Sequence, residues 1–595
     1  MADDDLQRNA GEDPETVWLR DTYQPNATNL TVRAVLGGAV IGVIMCLSNI
    51  YVFFKTGWSL GVTITASILA FAAFGLVSRK KPLGMLENNA LTTVASGAGY
   101  MTGGGNMAAF GALLMVTTLR PSVAPMIVWF AAIAALGVFA AIPIKRQLVN
   151  QEALPFPTGT ATAETLRTIH SGGDRRAVKW LALSALGAAA VSVVRNLKFI
   201  EETYALPFSI SGHTLKAWGL SFKTELVYLG AGALMSFRTG WSLLVGAIFT
   251  YGILAPWLLE QGLIAGTSLK QVVGWTVWPG AAMLVAAGLT SFALDYKSLG
   301  RAFTGIAKIL DRKKRVETGI AAVESPDWWF PAGFAVLGPL VIVLMYVLFD
   351  IPLWAAILAV PLAVIMGFIA ARVTGETDVT PTKALGPLTQ MMYGAVTPGN
   401  LSGNIMSANV TGGIGLHAAD LLTTLKTGWL LGAKPRHQLY AQLFGVVVGA
   451  IAIVPLFNLV IPDPTMLGTP EWEAPSCLVW AGVSEAFAGG IDKLGHEARI
   501  AIVIAGVIGI GLALAERFAP KHVKPYVPSP YGLGLAFVLS GSSSIMMFLG
   551  AAAAELFRRR QQIAGIVPVA SGLIAGESLM GVVFAMLKSA GIVAK

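Results

Sequence analysis

The chain has 595 residues, of which 55% are hydrophobic and 13% charged, and it carries a net charge of +9. A soluble globular protein has about 25% charged residues, so this composition excludes a water-covered globular surface. A nucleic-acid partner as the reason for the positive charge is excluded with it. Mean hydropathy is +0.66, and runs of about twenty apolar residues, enough to cross a ~30 Å hydrocarbon core as helix, recur from end to end.

In chain order, "MADDDLQRNAGEDPETVWLR" at the start is acidic and polar, without the basic-then-apolar pattern of a leader. Residues 1–30 therefore read as a cytoplasmic tail. Long spans are predicted at 31–54, 60–79, 90–118, 122–144, 176–195, 241–260, 272–295, 328–349, 351–371, 400–423, 438–460, 500–516, 531–556 and 563–589, with shorter apolar pieces near 225–236, 380–396 and 476–490. The fold class is an all-α polytopic membrane protein of about 14–16 crossings; the runs are too long for the ~10-residue alternating strands of a barrel. A basic stretch at 301–327 reads as a linker between a first membrane half, 31–300, and a second, 328–595. Basic clusters at Arg79–Lys81, Lys145–Arg146, Arg175–Arg176, Arg312–Arg315 and Arg558–Arg560 mark cytoplasmic loops and place the N-terminus inside. Cys46 and Cys477 offer no disulfide framework.

A motif recurs three times, about 180–190 residues apart: "FKTGWSLG" at Phe54–Gly61, "FRTGWSLL" at Phe237–Leu244 and "LKTGWLLG" at Leu425–Gly432. Each copy reads as the end of a span, with a snorkelling cation, an interfacial Trp and a Gly for the turn. "SPYGLGLAFVLS" at Ser529–Ser540 reads as a decayed fourth copy, and "PGAAMLVAAGLTSFALDYKSL" and "VPVASGLIAGESLMGVVFAML" close the two halves alike. Internal repeats with broken apolar segments are the mark of secondary transporters.

Four stretches carry polar groups that a lipid-facing helix would not tolerate. Gly84–Met107 holds Glu87, Asn88 and a glycine-rich break at Gly97–Gly105, and Leu154–Gly173 holds two prolines and Glu164. Thr374–Gly413 holds Gln390, Tyr393, Asn404 and Asn409 among prolines and glycines, and the following stretch carries Asp420 and Lys426. Interrupted helices at membrane depth are tolerated only when buried in protein or lining a wet cavity. Their exposed N-termini attract anions. An intramembrane acid is by default functional, so Glu87, Glu164, Asp420 and Glu577 are candidate substrate or proton sites; a helix–helix hydrogen bond is the competing explanation. Lys426 stands apart from Lys55 and Arg238 because Asp420 precedes it by six residues. His417 reads as a packing residue, and no metal site or cofactor is expected.

The blocks "LPFPTGTATAET", "LENNALTTVASGAG", "LKTGWLLGAKPRHQLYAQLFG" and "ASGLIAGESLMG" resemble the oligopeptide transporter family, in a prokaryotic branch close to the plant yellow-stripe-like transporters. The resemblance runs from about residue 30 to the C-terminus. It implies about sixteen helices grown by duplication, and a proton-coupled importer of small peptides or of metal complexes with peptide-like chelators. The residues themselves agree: a zwitterion needs an anion-binding feature, from Lys426 or a half-helix N-terminus, and an acid near its amine. No GxxxxGK[ST] loop is present to hold ATP. "GHEARIA" at Gly495 lacks the second His of a zinc protease, and "SGSSS" at Ser540 is small-residue packing, so an intramembrane enzyme is not expected. A passive channel for small polar solutes is the alternative. The expected setting is the plasma or inner membrane, with lipid, substrate and protons as partners and a surface compatible with a homo-oligomer.

Overall fold

Thr31 opens the first long helix by accepting from the Ala34 amide, and Gly57, at φ +74°, closes it. Such caps set most boundaries of a fold that is almost wholly helical. The computed structural model describes residues 12–59, 61–78, 81–171, 176–294, 319–377, 380–490, 494–520, 522–560 and 565–589. The expected linker 301–327 and the cluster Arg312–Arg315 lie largely outside them.

The helices are α1 Pro14–Asp21, α2 Val32–Thr56, α3 Val62–Val77, α4 Met85–Gly99, α5 Gly104–Val116, α6 Val123–Lys145, α7 Pro157–His170 and α8 Arg176–Asn196. Two tiny two-stranded antiparallel sheets within 203–223 follow. Then come α9 Leu226–Leu234, α10 Phe237–Phe249, α11 Ala255–Glu260, α12 Leu269–Leu294, α13 Trp329–Phe349, α14 Leu353–Thr377, α15 Thr382–Val396 and α16 Leu401–Leu431. The chain ends with α17 Pro435–Val460, α18 Pro475–Gly489, α19 His496–Phe518, α20 Pro530–Ala536, α21 Gly541–Arg559 and α22 Ile566–Ser589. Among the described residues ten helices are long and apolar enough to cross a membrane. The chain is an integral membrane protein.

Neither sequence half packs as a body of its own. Helices α2–α7 pack with α13–α18, while α8–α12 pack with α19–α22, so each half supplies part of two bundles. In the second bundle the pairings α8 with α22, α9 with α21 and α12 with α20 are matched by α19 with α12, α20 with α10 and α22 with α9. Exchanging α8 for α19, α9 for α20, α10 for α21 and α12 for α22 maps this set onto itself. A duplicated ancestor produces that pattern. It also corrects the reading of Ser529–Ser540: this segment forms α20, the counterpart of α9, so it is not a copy of the motif that opens α10.

Two expected spans are broken. The span 90–118 divides into α4 and α5 around the 3-10 turn Tyr100–Thr102 and Gly103, where consecutive glycines give little helix propensity. The span 531–556 divides into α20 and α21, with Ser540 capping the latter by accepting from Ser543. Conversely, Asn400–Gly413 is no break. Helix α16 runs unbroken from Leu401 for 31 residues, about 46 Å at 1.5 Å per residue. Its Gly412 lies against Gly105, where a Cβ on either would meet backbone; close helix crossing is the use of these glycines.

The three motif copies also differ. Gly57 ends α2, as expected. Arg238-Thr239-Gly240-Trp241 instead begins α10 behind the cap Ser236, and the third copy lies within α16, whose terminating glycine is Gly432 at φ +78°.

Candidate functional site

A cavity of about 560 Å³ opens at the seam of the two bundles, in the size range of small-ligand sites. The first bundle contributes α2, α5, α15, α16 and α18 to its wall, the second α9 and α10. Helix starts dominate the lining. Gly61 caps α3, Gly103 caps α5 and Gly104 opens it, Ser236 caps α10, Thr382 opens α15 and Ser476 lies in the first turn of α18. Of these five starts, α10 has a side-chain cap, while α3, α5, α15 and α18 have none.

A helix N-terminus carries roughly half a positive charge, with amides that point outward. Five starts outnumber the two helix ends that also reach the cavity, Gly57 of α2 and Met235 of α9, so the backbone balance of the wall favours an anion. Among the described residues, those lining the cavity include no Asp, Glu, Lys, Arg or His; Trp58, Trp480, Phe53 and Leu416 supply apolar surface instead. Helices α5 and α18, of 13 and 15 residues, measure about 20–22 Å, short of the ~30 Å core, and so can begin at depth.

Behind this wall lies a network of charges. Lys55 Nζ donates to Glu225 Oε1 at 2.7 Å, Lys223 Nζ to Glu473 Oε1 at 2.7 Å, and Arg195 to Glu577 Oε1 at 2.6 Å. Lys223 lies 4.0 Å from Glu225 and links two of these pairs. Glu473 also accepts from the Ser540 amide and from the Ser540 and Ser543 hydroxyls, and Glu577 accepts from the Val227 amide. Three cations balance three carboxylates, so the cluster is neutral and its polar atoms are well bonded, the condition under which buried charge is tolerated. Lys55 also lies near the rings of Tyr51 and Trp472, at 5.7 and 5.3 Å. Its motif copy is therefore more than a rim anchor.

None of the polar and charged candidates lines the cavity, whereas Gly103 and Gly104 of the glycine-rich break and Gly57 and Trp58 of the first motif copy do. Glu87 sits in the first turn of α4, accepting from Nε and Nη2 of Arg33 and from the Thr31 hydroxyl, which ties α4 to α2. Asn88 donates to the Ser67 carbonyl and meets His170. Glu164 is exposed and pairs with Arg167 one turn along α7; it is not a carboxylate enclosed among helices. Gln390 donates to the Trp480 carbonyl, Asn404 to the Gln390 carbonyl, and Tyr393 to the Ala355 carbonyl, so these three bind α15 to its neighbours. Asn409 bonds Gly105, Asn106 and Trp129.

Asp420 is buried, accepting from Ser96 Oγ at 2.6 Å and Gln442 Nε2 at 2.5 Å. Lys426 is buried too, with the Ala153 carbonyl at 3.5 Å as its hydrogen-bond partner. Six residues separate the two and their partners differ, in keeping with helix geometry. Glu577 belongs to the charge network. His417 is wholly buried against Gly137.

Beyond the glycine-rich break, the cavity residues escaped sequence reading because they are Ser, Thr, Trp and isolated Gly, types that read equally as turns and packing. A usable signal was present in the cap Ser236 and in Pro475 at the first position of α18. The charge network escaped because its partners are distant in sequence; Lys55 and Glu225 are 170 residues apart.

The family model described as OPT oligopeptide transporter protein matches residues 29–588. Among curated proteins, the iron-phytosiderophore transporter yellow stripe 1 of Zea mays is 26% identical, the alignment covering 92% of this chain and 89% of that protein. A putative oligopeptide transporter of Saccharomyces cerevisiae is 22% identical, with 94% and 96% covered. A metal-nicotianamine transporter of Oryza sativa subsp. japonica is 23% identical, with 93% and 92% covered.

Proposed function

The chain belongs to the oligopeptide transporter family, and on that premise we propose that it is a proton-coupled importer of small peptides or peptide-like metal chelates. It is a transporter and not an enzyme; substrate, coupling and direction are what the proposal adds. The observation that carries the substrate class is the convergence of five helix starts on a cavity whose described lining residues carry no ionisable side chain. Such a receptor favours carboxylates through amide dipoles. The apolar wall of Trp58, Trp480 and Phe53 suits the intervening carbon skeleton. Peptides and amino-acid-derived chelators share both features, and the relatives' names point the same way.

The cavity lies where two interleaved bundles meet, the arrangement by which repeat-built carriers expose a site alternately to each side. We place the protein in the plasma or inner membrane with its N-terminus in the cytoplasm, on the strength of the basic loop clusters.

Uptake into proteoliposomes holding the purified full chain tests the proposal, using tritiated trialanine, its C-terminally amidated form and radio-iron nicotianamine. With an acid exterior, trialanine or the chelate accumulates, and the amide competes at least tenfold less well than the free acid. Equal competition by acid and amide refutes carboxylate recognition. Accumulation unchanged by a protonophore refutes proton coupling.

A further inference from the structure

Six carboxylates are buried among the described residues: Glu15, Glu87, Glu324, Asp420, Glu473 and Glu577. Five are ion-paired, with Arg146, Arg33, Lys145, Lys223 and Arg195 in the corresponding order. Among the described residues Asp420 has no cationic partner; its two oxygens receive Ser96 Oγ and Gln442 Nε2. An unpaired carboxylate in such a place gives up its hydration with little in return, whereas the neutral acid does not.

Among the described residues, these charged groups on the helices around it hold other partners. Glu87 on α4 binds Arg33, Lys145 on α6 binds Glu324, and Arg372 on α14 binds Glu152 and Glu376. Lys426 on its own helix contacts the Ala153 carbonyl, and the Glu164–Arg167 pair of α7 is exposed. His417 on α16 and His437 on α17 make no ion pair with Asp420; both His417 ring nitrogens and His437 Nδ1 are without a hydrogen-bond partner.

Its position matters as much. Leu416 lines the cavity, and Asp420 follows four residues later on the same face of α16, about 6 Å further along the axis. Ser96 lies on α4 just ahead of the break that forms the cavity's glycine rim. On the far side a polar track continues: Gln438 Nε2 donates to the Thr424 carbonyl and reaches Thr93 Oγ1. The Oε1 atoms of Gln438 and Gln442 are buried without partners. That last point gives Asp420 two satisfied states. Charged, it accepts from Gln442 Nε2; protonated, it donates to Gln442 Oε1 once the amide turns end for end.

We propose that Asp420 is the proton-carrying group of the transport cycle, with Gln442 its two-state partner and the Gln438–Thr93–Thr424 track the route away from the cavity. Only O–H bonds form and break. A hydronium ion of cavity water protonates Asp420, and the proton leaves to water at the opposite end of the track. This rests on the proton-coupled reading above.

The test has two arms, both on the full chain. Infrared spectra of the reconstituted protein at neutral pH are compared for wild type, Asp420→Asn and Gln442→Leu. The acid C=O stretching band of wild type is expected to be lost in Asp420→Asn and shifted in Gln442→Leu. No loss of an acid band in Asp420→Asn overturns the proposal whatever the protein transports. In the second arm, trialanine and radio-iron nicotianamine are measured in gradient-driven accumulation and in exchange at equal pH. Asp420→Asn is expected to keep exchange within about twofold of wild type while its accumulation ratio falls to unity. Accumulation like wild type overturns the proposal, as does loss of both activities in correctly folded protein. If wild type carries neither probe, the substrate reading has failed, and the infrared arm decides on Asp420.

Discussion

Gly104 lines the cavity and Gly105 follows it on α5, yet a side chain would meet a different fate at each. At Gly105 a Cβ falls 2.8–3.1 Å from the backbone of Gly412, which cannot move without displacing α16. At Gly104 the nearest atoms are Thr382 Oγ1 at 3.9 Å and Phe53 Cε2 at 4.0 Å, and the new group projects into the cavity. Valine at Gly104 therefore costs no packing. In a helix it is worth a few tenths of a kcal/mol more than glycine, so stability holds or rises slightly. Its branched side chain stands among the helix starts and obstructs the carboxylate position, and uptake should fall more than tenfold. Valine at Gly105 overpacks a backbone contact, costing about 3 kcal/mol or more, and should lower the yield of folded protein. The assay is uptake per folded molecule in proteoliposomes, with folded yield and melting measured by size-exclusion chromatography in detergent. A well-folded Gly104→Val that transports at the wild-type rate would refute the assignment of this cavity as the substrate site. A well-folded Gly105→Val would refute the tight crossing of α5 and α16.

Lys55→Met and Glu225→Gln should each destabilise the fold by about 3–5 kcal/mol by leaving a buried charge unpaired, and the double variant should lose less than the sum. Strictly additive melting losses would mean the two do not interact. Lys426→Gln, at a cation with no carboxylate partner, should lower uptake per folded molecule while moving stability by less than about 1 kcal/mol; parallel losses of both would make it structural. Single cysteines at Asn26 and Lys81 should resist a membrane-impermeant thiol reagent in intact cells, and rapid labelling would invert the topology.

The helices were legible because twenty apolar residues in a row have one stable solution in lipid. The break after Gly99 was legible from glycine alone. The break at Met235–Ser236 was legible too, since the apolar piece 225–236 ends there, ahead of Arg238 and the span 241–260. For the site, glycine and charge were both used; the glycine-rich break led to Gly103 and Gly104, while charge at Glu87 and Glu164 led to residues paired with Arg33 and Arg167 away from the cavity. Helix starts can be read one at a time. That five of them meet is a property of long-range packing, which no local pattern encodes. Asp420 was found by its residue type; that it alone lacks a counter-charge among the buried carboxylates required knowing where Arg195, Lys223 and Lys145 end up.

The interleaving of the two bundles has a consequence for biosynthesis. Arg195 meets Glu577 across 382 residues, and at about 5–20 residues per second of synthesis that is a wait of about 20–75 s. During this interval α8 has left the ribosome with a guanidinium suited to the protein interior and no carboxylate to receive it. Glu225 and Lys223 have each other, yet lack the Glu473 that completes their cluster. The nascent first half must therefore be sheltered from lipid by the insertion machinery, or hold these groups at the aqueous boundary, until its second half arrives. A ribosome that stalls near residue 300 leaves behind two unfinished bundles, and quality control has an unpaired intramembrane cation to recognise.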